Sequence, residues 1–151
     1  MSLQTWMDEF YPTPTRKFPT ELEAVEHSLR KWKGLTKENL KKHHVIKSGS
    51  LLRDDAYERF FIDSTTCALC QQHTENSEDS EDFADCDKCI LKKVNVSEFD
   101  GQHYRCDATL PEKGVGIYQE FVSYGNPQPM IELLEKAKAY LCQQNSVQNK
   151  A

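Results

Sequence analysis

Two Cys-x-x-Cys pairs, "CALC" from Cys67 to Cys70 and "CDKC" from Cys86 to Cys89, constrain this chain more than any other feature. Together they read C-x2-C-x15-C-x2-C, inside the spacing of a four-cysteine zinc site. Geometry explains the pattern. Each tight knuckle presents two sulfurs, and two knuckles complete a tetrahedron around Zn2+. The expected ligands are Cys67, Cys70, Cys86 and Cys89, with Cys106 as an alternative that could replace Cys86 or Cys89. His73, three residues after Cys70, reads as a solvated or neighbouring donor rather than a ligand. Four thiolates close the shell and leave no position for water, so the metal is expected to be structural. The same sulfurs could hold an iron–sulfur cluster. A redox pair would need a helix N-terminus in alternating strand–helix sequence, a setting neither pair has.

Disulfides are the weakest reading, because the compartment disfavours them. The start, "MSLQTWMDEFYP", has no basic region followed by an apolar one, so no secretory leader is expected. No stretch approaches the roughly 20 apolar residues of a membrane span. A cytoplasmic, reducing location follows as the expectation. Cys142, beside Leu141 on a C-terminal helix, reads as a partly buried free thiol.

Charge narrows the partners. The 151 residues carry 19 Lys plus Arg against 24 Asp plus Glu, a net charge of -5, which argues against general affinity for nucleic acid. The excess is uneven: residues 1–47 hold nine basic and six acidic side chains, whereas Glu75 to Asp87 holds seven acidic and no basic ones. That acidic run is expected to be a solvated, flexible loop over 74–85, closed at its base by the metal.

Helical signals dominate both ends. The prolines at 12, 14 and 19 allow at most a short helix before Tyr11. Thr20 and Glu23 form a capping-box pattern ahead of Leu22, Val25, Leu29 and Trp32, and Gly34 sits where a left-handed cap would end that helix. A shorter helix follows from Thr36 to near His43, with lysines 31, 33, 37, 41 and 42 expected on the outer surface of the pair. The stretch "HVIKSGSLLRDDAYERFFID" reads as strands around a Ser48-Gly49-Ser50 turn, with Tyr57, Phe60, Phe61 and Ile62 in a strand leading to Cys67. "GIYQEFVSYG" predicts a helix stopping at Gly125. After Asn126-Pro127 comes a longer helix whose apolar face is Met130, Leu133, Leu134, Ala137 and Leu141. The expected architecture is one zinc-stabilised α+β domain over 1–145, largely helical with short strands, and a disordered tail over 146–151.

Sites of catalysis are harder to find. No His-x-Glu accompanies a Cys pair and no His-Glu-x-x-His is present, so neither the deaminase nor the metalloprotease pattern is met. "KHHVI", with His43 and His44, has a passing likeness to the His-His-Ile core of HNH nucleases. Here, however, it precedes both Cys pairs and carries Lys42 where that family has aspartate. The plainer reading is that these histidines end a helix, where a basic residue suits the macrodipole. The helix pair could instead meet nucleic-acid phosphates through Lys31, Lys37, Lys41 and Lys42, but it lacks a cluster for reading base edges.

Several of these motifs, "SLQTWMDEFYPT", "EAVEHSLRKWKGLTKENLKKH", "CALCQ…CDKCIL…C" and "NPQPMIELLEKA", together resemble a group of small phage and bacterial proteins without an established activity. That group has "CALC", then C-x-x-C-P-L, a further Cys and an aromatic-rich helix; Ile90 stands where its pattern has proline. The resemblance implies metal binding, raises the standing of Cys106 as a ligand, and implies host cytoplasm if the chain is phage-encoded. The function expected is non-enzymatic: a zinc-stabilised binding protein with a protein partner. Nucleic-acid binding through helices 21–43 is the alternative, and an HNH-like nuclease a third.

Overall fold

Side-chain caps start the first three helices. The computed structural model describes residues 2–14, 18–62, 66, 67 and 116–148, with side chains as far as Gln144. Helix α1 runs Leu3–Phe10; Ser2 Oγ accepts from Thr5 N, and Thr5 Oγ1 accepts from Ser2 N at 2.8 Å, a capping box with threonine in the reciprocal position. Helix α2, Glu21–Lys33, begins at Thr20, whose hydroxyl accepts from Glu23 N at 3.2 Å. Its acidic residues (Glu21, Glu23) fall in the first turn and its basic ones (Arg30, Lys31, Lys33) in the last, both favourable to the helix dipole. Helix α3, Lys37–Lys42, starts at Thr36 and ends at His43.

One expected cap takes a different form. Gly34 closes α2 in the right-handed region, at φ -71°, and the left-handed residue falls later, at His44 with φ 56°. Glycine is required at 34 by proximity: a Cβ there would lie 2.6 Å from Phe10 Cδ2 and 2.7 Å from Phe10 Cβ. Gly34 thus lets α1 lie directly on the α2–α3 corner, where Trp6 Nε1 donates to the Gly34 carbonyl at 2.8 Å.

The central stretch forms an antiparallel meander, β1 (Ile46–Ser48), β2 (Leu51–Arg53) and β3 (Arg59–Phe61), in the order β1-β2-β3. Gly49, at φ 59°, supplies the first turn, as its sequence foretells. Tyr57, expected within a strand, instead occupies the β2–β3 turn at φ 62°. The register places Lys47, Leu52 and Phe60 in one row facing the helices. Leu52 and Phe60 are buried, and the Lys47 ammonium sits 4.8 Å from the Phe121 ring centre while donating to the Val122 carbonyl. Burial pushes the Lys47 pKa below its usual value.

Helix α4, Ile117–Tyr124, stops at Gly125 in the left-handed conformation, φ 71°. Asn126 Oδ1 then accepts from Gln128 N, and helix α5 runs Gln128–Gln148. It continues three residues past 145, where the domain was expected to end. Its buried face is Met130, Leu133, Leu134 and Ala137, joined by Ile131, and it packs along α2. Trp6 meets Phe60 at 5.5 Å and Trp32 meets Phe121 at 5.1 Å between ring centres, so aromatic pairs join α1 to the sheet and α2 to α4. Each fully buried large apolar side chain, such as Phe121, contributes roughly 1.5–3 kcal/mol of transfer free energy. The described residues thus form an α+β fold of five helices and a three-stranded antiparallel sheet, and none of these helices is long and apolar enough to cross a membrane.

Candidate functional site

Cys67 is the one expected metal ligand among the described residues; Cys70, Cys86, Cys89, Cys106, His73 and the acidic stretch 74–85 lie outside them. Cys67 is half-buried against the core, and the residue before it is tied down twice. Thr66 Oγ1 donates to the Phe61 carbonyl at 2.7 Å, and the Thr66 carbonyl accepts from Lys31 Nζ at 2.7 Å. That second bond overturns one expectation. Lys31 is not on the outer surface: it is 1% exposed, on the inward stripe of α2 with Ala24 and Ser28. The spacing of seven from Ala24 to Lys31 carried that signal in the sequence. A buried ammonium is costly without partners, and its carbonyl bond ties α2 to the residue before Cys67. Among the described residues no three His, Cys, Asp or Glu side chains converge as a metal site.

The other lysines behave differently. Lys37 and Lys41 are exposed on α3, whereas Lys42 Nζ lies 3.1 Å from Glu9 Oε1 in an ion pair. His43 is committed to the fold. It is 2% exposed; its Nε2 meets Glu9 Oε2 at 2.9 Å and its Nδ1 meets Thr5 Oγ1 at 2.9 Å. The His43 hydrogen bond, then Lys42, holds the Glu9 carboxyl below its usual pKa. Both ring nitrogens of His43 therefore clamp α3 to α1, as suits a residue that ends a helix. Cys142 is exposed, not partly buried.

Asp54 plays a comparable part for the sheet. Its Oδ2 accepts from Leu3 N at 2.9 Å, and its Oδ1 accepts from Ala56 N and Glu58 N. The Leu3 amide is the main reason its carboxyl titrates below the usual value, with the Glu58 and Ala56 amides adding to it. One buried carboxylate thus caps α1 and shapes the β2–β3 turn.

The outward face of that sheet went unread in the sequence. Its first row is Ile46, Arg53 and Arg59; its second is Ser48, Leu51 and Phe61. Arg53 and Arg59 face each other directly. The Asp54 N to Glu58 O and Ile62 N to Ser50 O bonds flank them, so theirs is the closer, non-hydrogen-bonded kind of antiparallel pair. Like charges so placed repel, and no carboxylate pairs with either arginine among the described residues. Ile46 is 42% exposed, Phe61 48%, and Tyr57, on the adjoining turn, 81%. The signal was the alternation in "LLRDDAYERFF", which puts both arginines on the face opposite Leu52 and Phe60. A separate cleft of about 500 Å3 between α1, α2 and α5 has Phe10 and Leu29 on its floor, but its rim is occupied by pairs such as Lys138–Glu26 at 4.0 Å.

No protein-family model, curated protein or solved structure matches the chain.

Proposed function

We propose that this chain is a non-enzymatic, zinc-stabilised binding protein of a reducing compartment, in which the metal fixes the base of the sheet and the sheet presents the partner surface. The carrying observation is the outward face of β1–β3, where two directly opposed arginines stand among exposed apolar side chains, with no carboxylate partner among the described residues. A fold gains nothing from that pairing, which costs repulsion, whereas a binding surface does. Zinc is supported by the C-x2-C-x15-C-x2-C spacing and by the Lys31 anchor beside Cys67. Bound there by Cys67, Cys70, Cys86 and Cys89 (or Cys106 for one of the second pair), it would supply cross-linking and no reaction. If the chain is phage-encoded, the partner is a host protein.

Metal analysis with a chelator melt tests the proposal. About one zinc per chain and a lower melting temperature in chelator are expected. A folded protein that purifies without metal and melts identically in chelator refutes the zinc part. The nucleic-acid alternative has lost Lys31 to the core and Lys42 to Glu9, leaving Lys37 and Lys41 of the four lysines it relied on.

A further inference from the structure

We infer that the outer edge of β3, unpaired among the described residues, receives an extended acidic segment of a partner protein by strand addition, with a carboxylate facing Arg59 and Arg53 and a branched or aromatic side chain facing Phe61. The inference rests on the sheet face being the binding surface. Three observations support it together. First, the backbone is available. β3 pairs only with β2 among the described residues, and the register turns Arg59 N–H, Arg59 C=O and Phe61 N–H away from β2. Among the described residues, only the Phe61 carbonyl of these outward groups is engaged, by Thr66 Oγ1. Unpaired edge groups are the template that strand addition uses.

Second, the side chains set a pattern. Arg59 and Phe61 are two residues apart on one strand and so share a face. An added strand would place its own residues opposite each of them, again two apart, giving the reading acid-x-apolar. Arg53, directly across from Arg59, extends the cationic site by one strand. Guanidinium forks suit carboxylates in bidentate geometry, better than lysine would.

Third, the charge balance favours a short acidic segment over a long polyanion. The chain as a whole carries -5, so a nucleic-acid strand running beyond the arginine pair would meet net repulsion. A short peptide needs complementarity only at the pair itself.

The test uses the full zinc-bound chain and a synthetic peptide of about ten residues alternating threonine with glutamate and valine in turn. Binding is read by fluorescence anisotropy. The acidic peptide should bind, and its glutamine counterpart and an edge-N-methylated copy should bind about tenfold more weakly or worse. Arg59→Glu and Arg53→Glu should weaken binding similarly, with the milder Arg59→Gln as a check, while Lys41→Glu should leave it unchanged. Equal affinity for the acidic and neutral peptides, or preference for an oligothymidylate, overturns the inference. So does dimerisation abolished by Arg59→Glu in a protein that ignores the peptide, which would assign the edge to a second copy. A protein that holds zinc but ignores the acidic peptide sinks this partner assignment alone; absence of zinc as well would tell against the proposed function.

Discussion

Gly34→Ala separates packing from backbone propensity by the sign of its effect. Gly34 has right-handed dihedrals, φ -71° and ψ -11°, where alanine is intrinsically the better residue by about 0.5–1 kcal/mol. Propensity alone therefore predicts stabilisation. The structure predicts the reverse, because the new Cβ would lie 2.6 Å from Phe10 Cδ2 and 2.7 Å from Phe10 Cβ, and closer still to Cγ. Rotating the Phe10 ring clears Cδ2 but not Cβ, so α1 itself must shift. That shift is opposed by the Trp6 bond to the Gly34 carbonyl at 2.8 Å and by the Arg30 bond to the Glu9 carbonyl at 2.6 Å. Overpacking of this kind costs about 1–3 kcal/mol, which at mid-range leaves a net loss of about 1 kcal/mol after the propensity gain. Urea denaturation at fixed zinc should show a lower midpoint with an unchanged slope. Adding Phe10→Ala removes two of the three contacts, so the penalty of Gly34→Ala should shrink by about 1 kcal/mol in that background. A raised midpoint for Gly34→Ala, or the same penalty in both backgrounds, would refute the close approach of α1.

Three further outcomes follow from the same geometry. Lys31→Met keeps most of the buried stem but removes the ammonium's bond to the Thr66 carbonyl; a loss of about 1–3 kcal/mol and faster zinc release to a chelator are expected, and an unchanged release rate would detach Lys31 from the metal site. Asp54 and Glu9 both titrate below their ordinary values of 3.8 and 4.5, so the stability they give is complete above those values and is lost as pH falls through the lower folded-state values. The melting-temperature difference between wild type and Asp54→Asn isolates this contribution from the pH-dependent metal: it should be level above about pH 5 and shrink in acid, and a difference still level at about pH 3 contradicts this. Arg59→Gln relieves the cross-strand repulsion and should stabilise the fold by about 0.2–1 kcal/mol at low salt, an advantage that added salt erases; destabilisation at every salt concentration would mean that the arginines are paired.

What the sequence disclosed follows from range. Local signals were legible: Thr20 capping α2, Gly49 in the first hairpin, Gly125 ending α4 and the Met130–Ala137 stripe all act within a few residues. Long-range contacts were not. Gly34 reads as a helix stop until Phe10, from another helix, is seen against it. Lys31 reads as solvated because lysine usually is, whereas its bond to the distant Thr66 carbonyl holds it in the core. Arg53 and Arg59 are separated by a turn, so their confrontation depends on register, which a pattern of apolar residues in three-residue strands sets only weakly. His43 shows both sides: its place at a helix end was readable, whereas its clamp on Glu9 and Thr5 was not.

The central claim, a closed and structural metal shell, is tested most directly by X-ray absorption at the metal edge of the purified protein. Zinc with four sulfur neighbours at about 2.3 Å and no oxygen or nitrogen is expected. A shell with fewer sulfurs and a bound oxygen, an iron–iron distance, or no metal in a folded chain would contradict it.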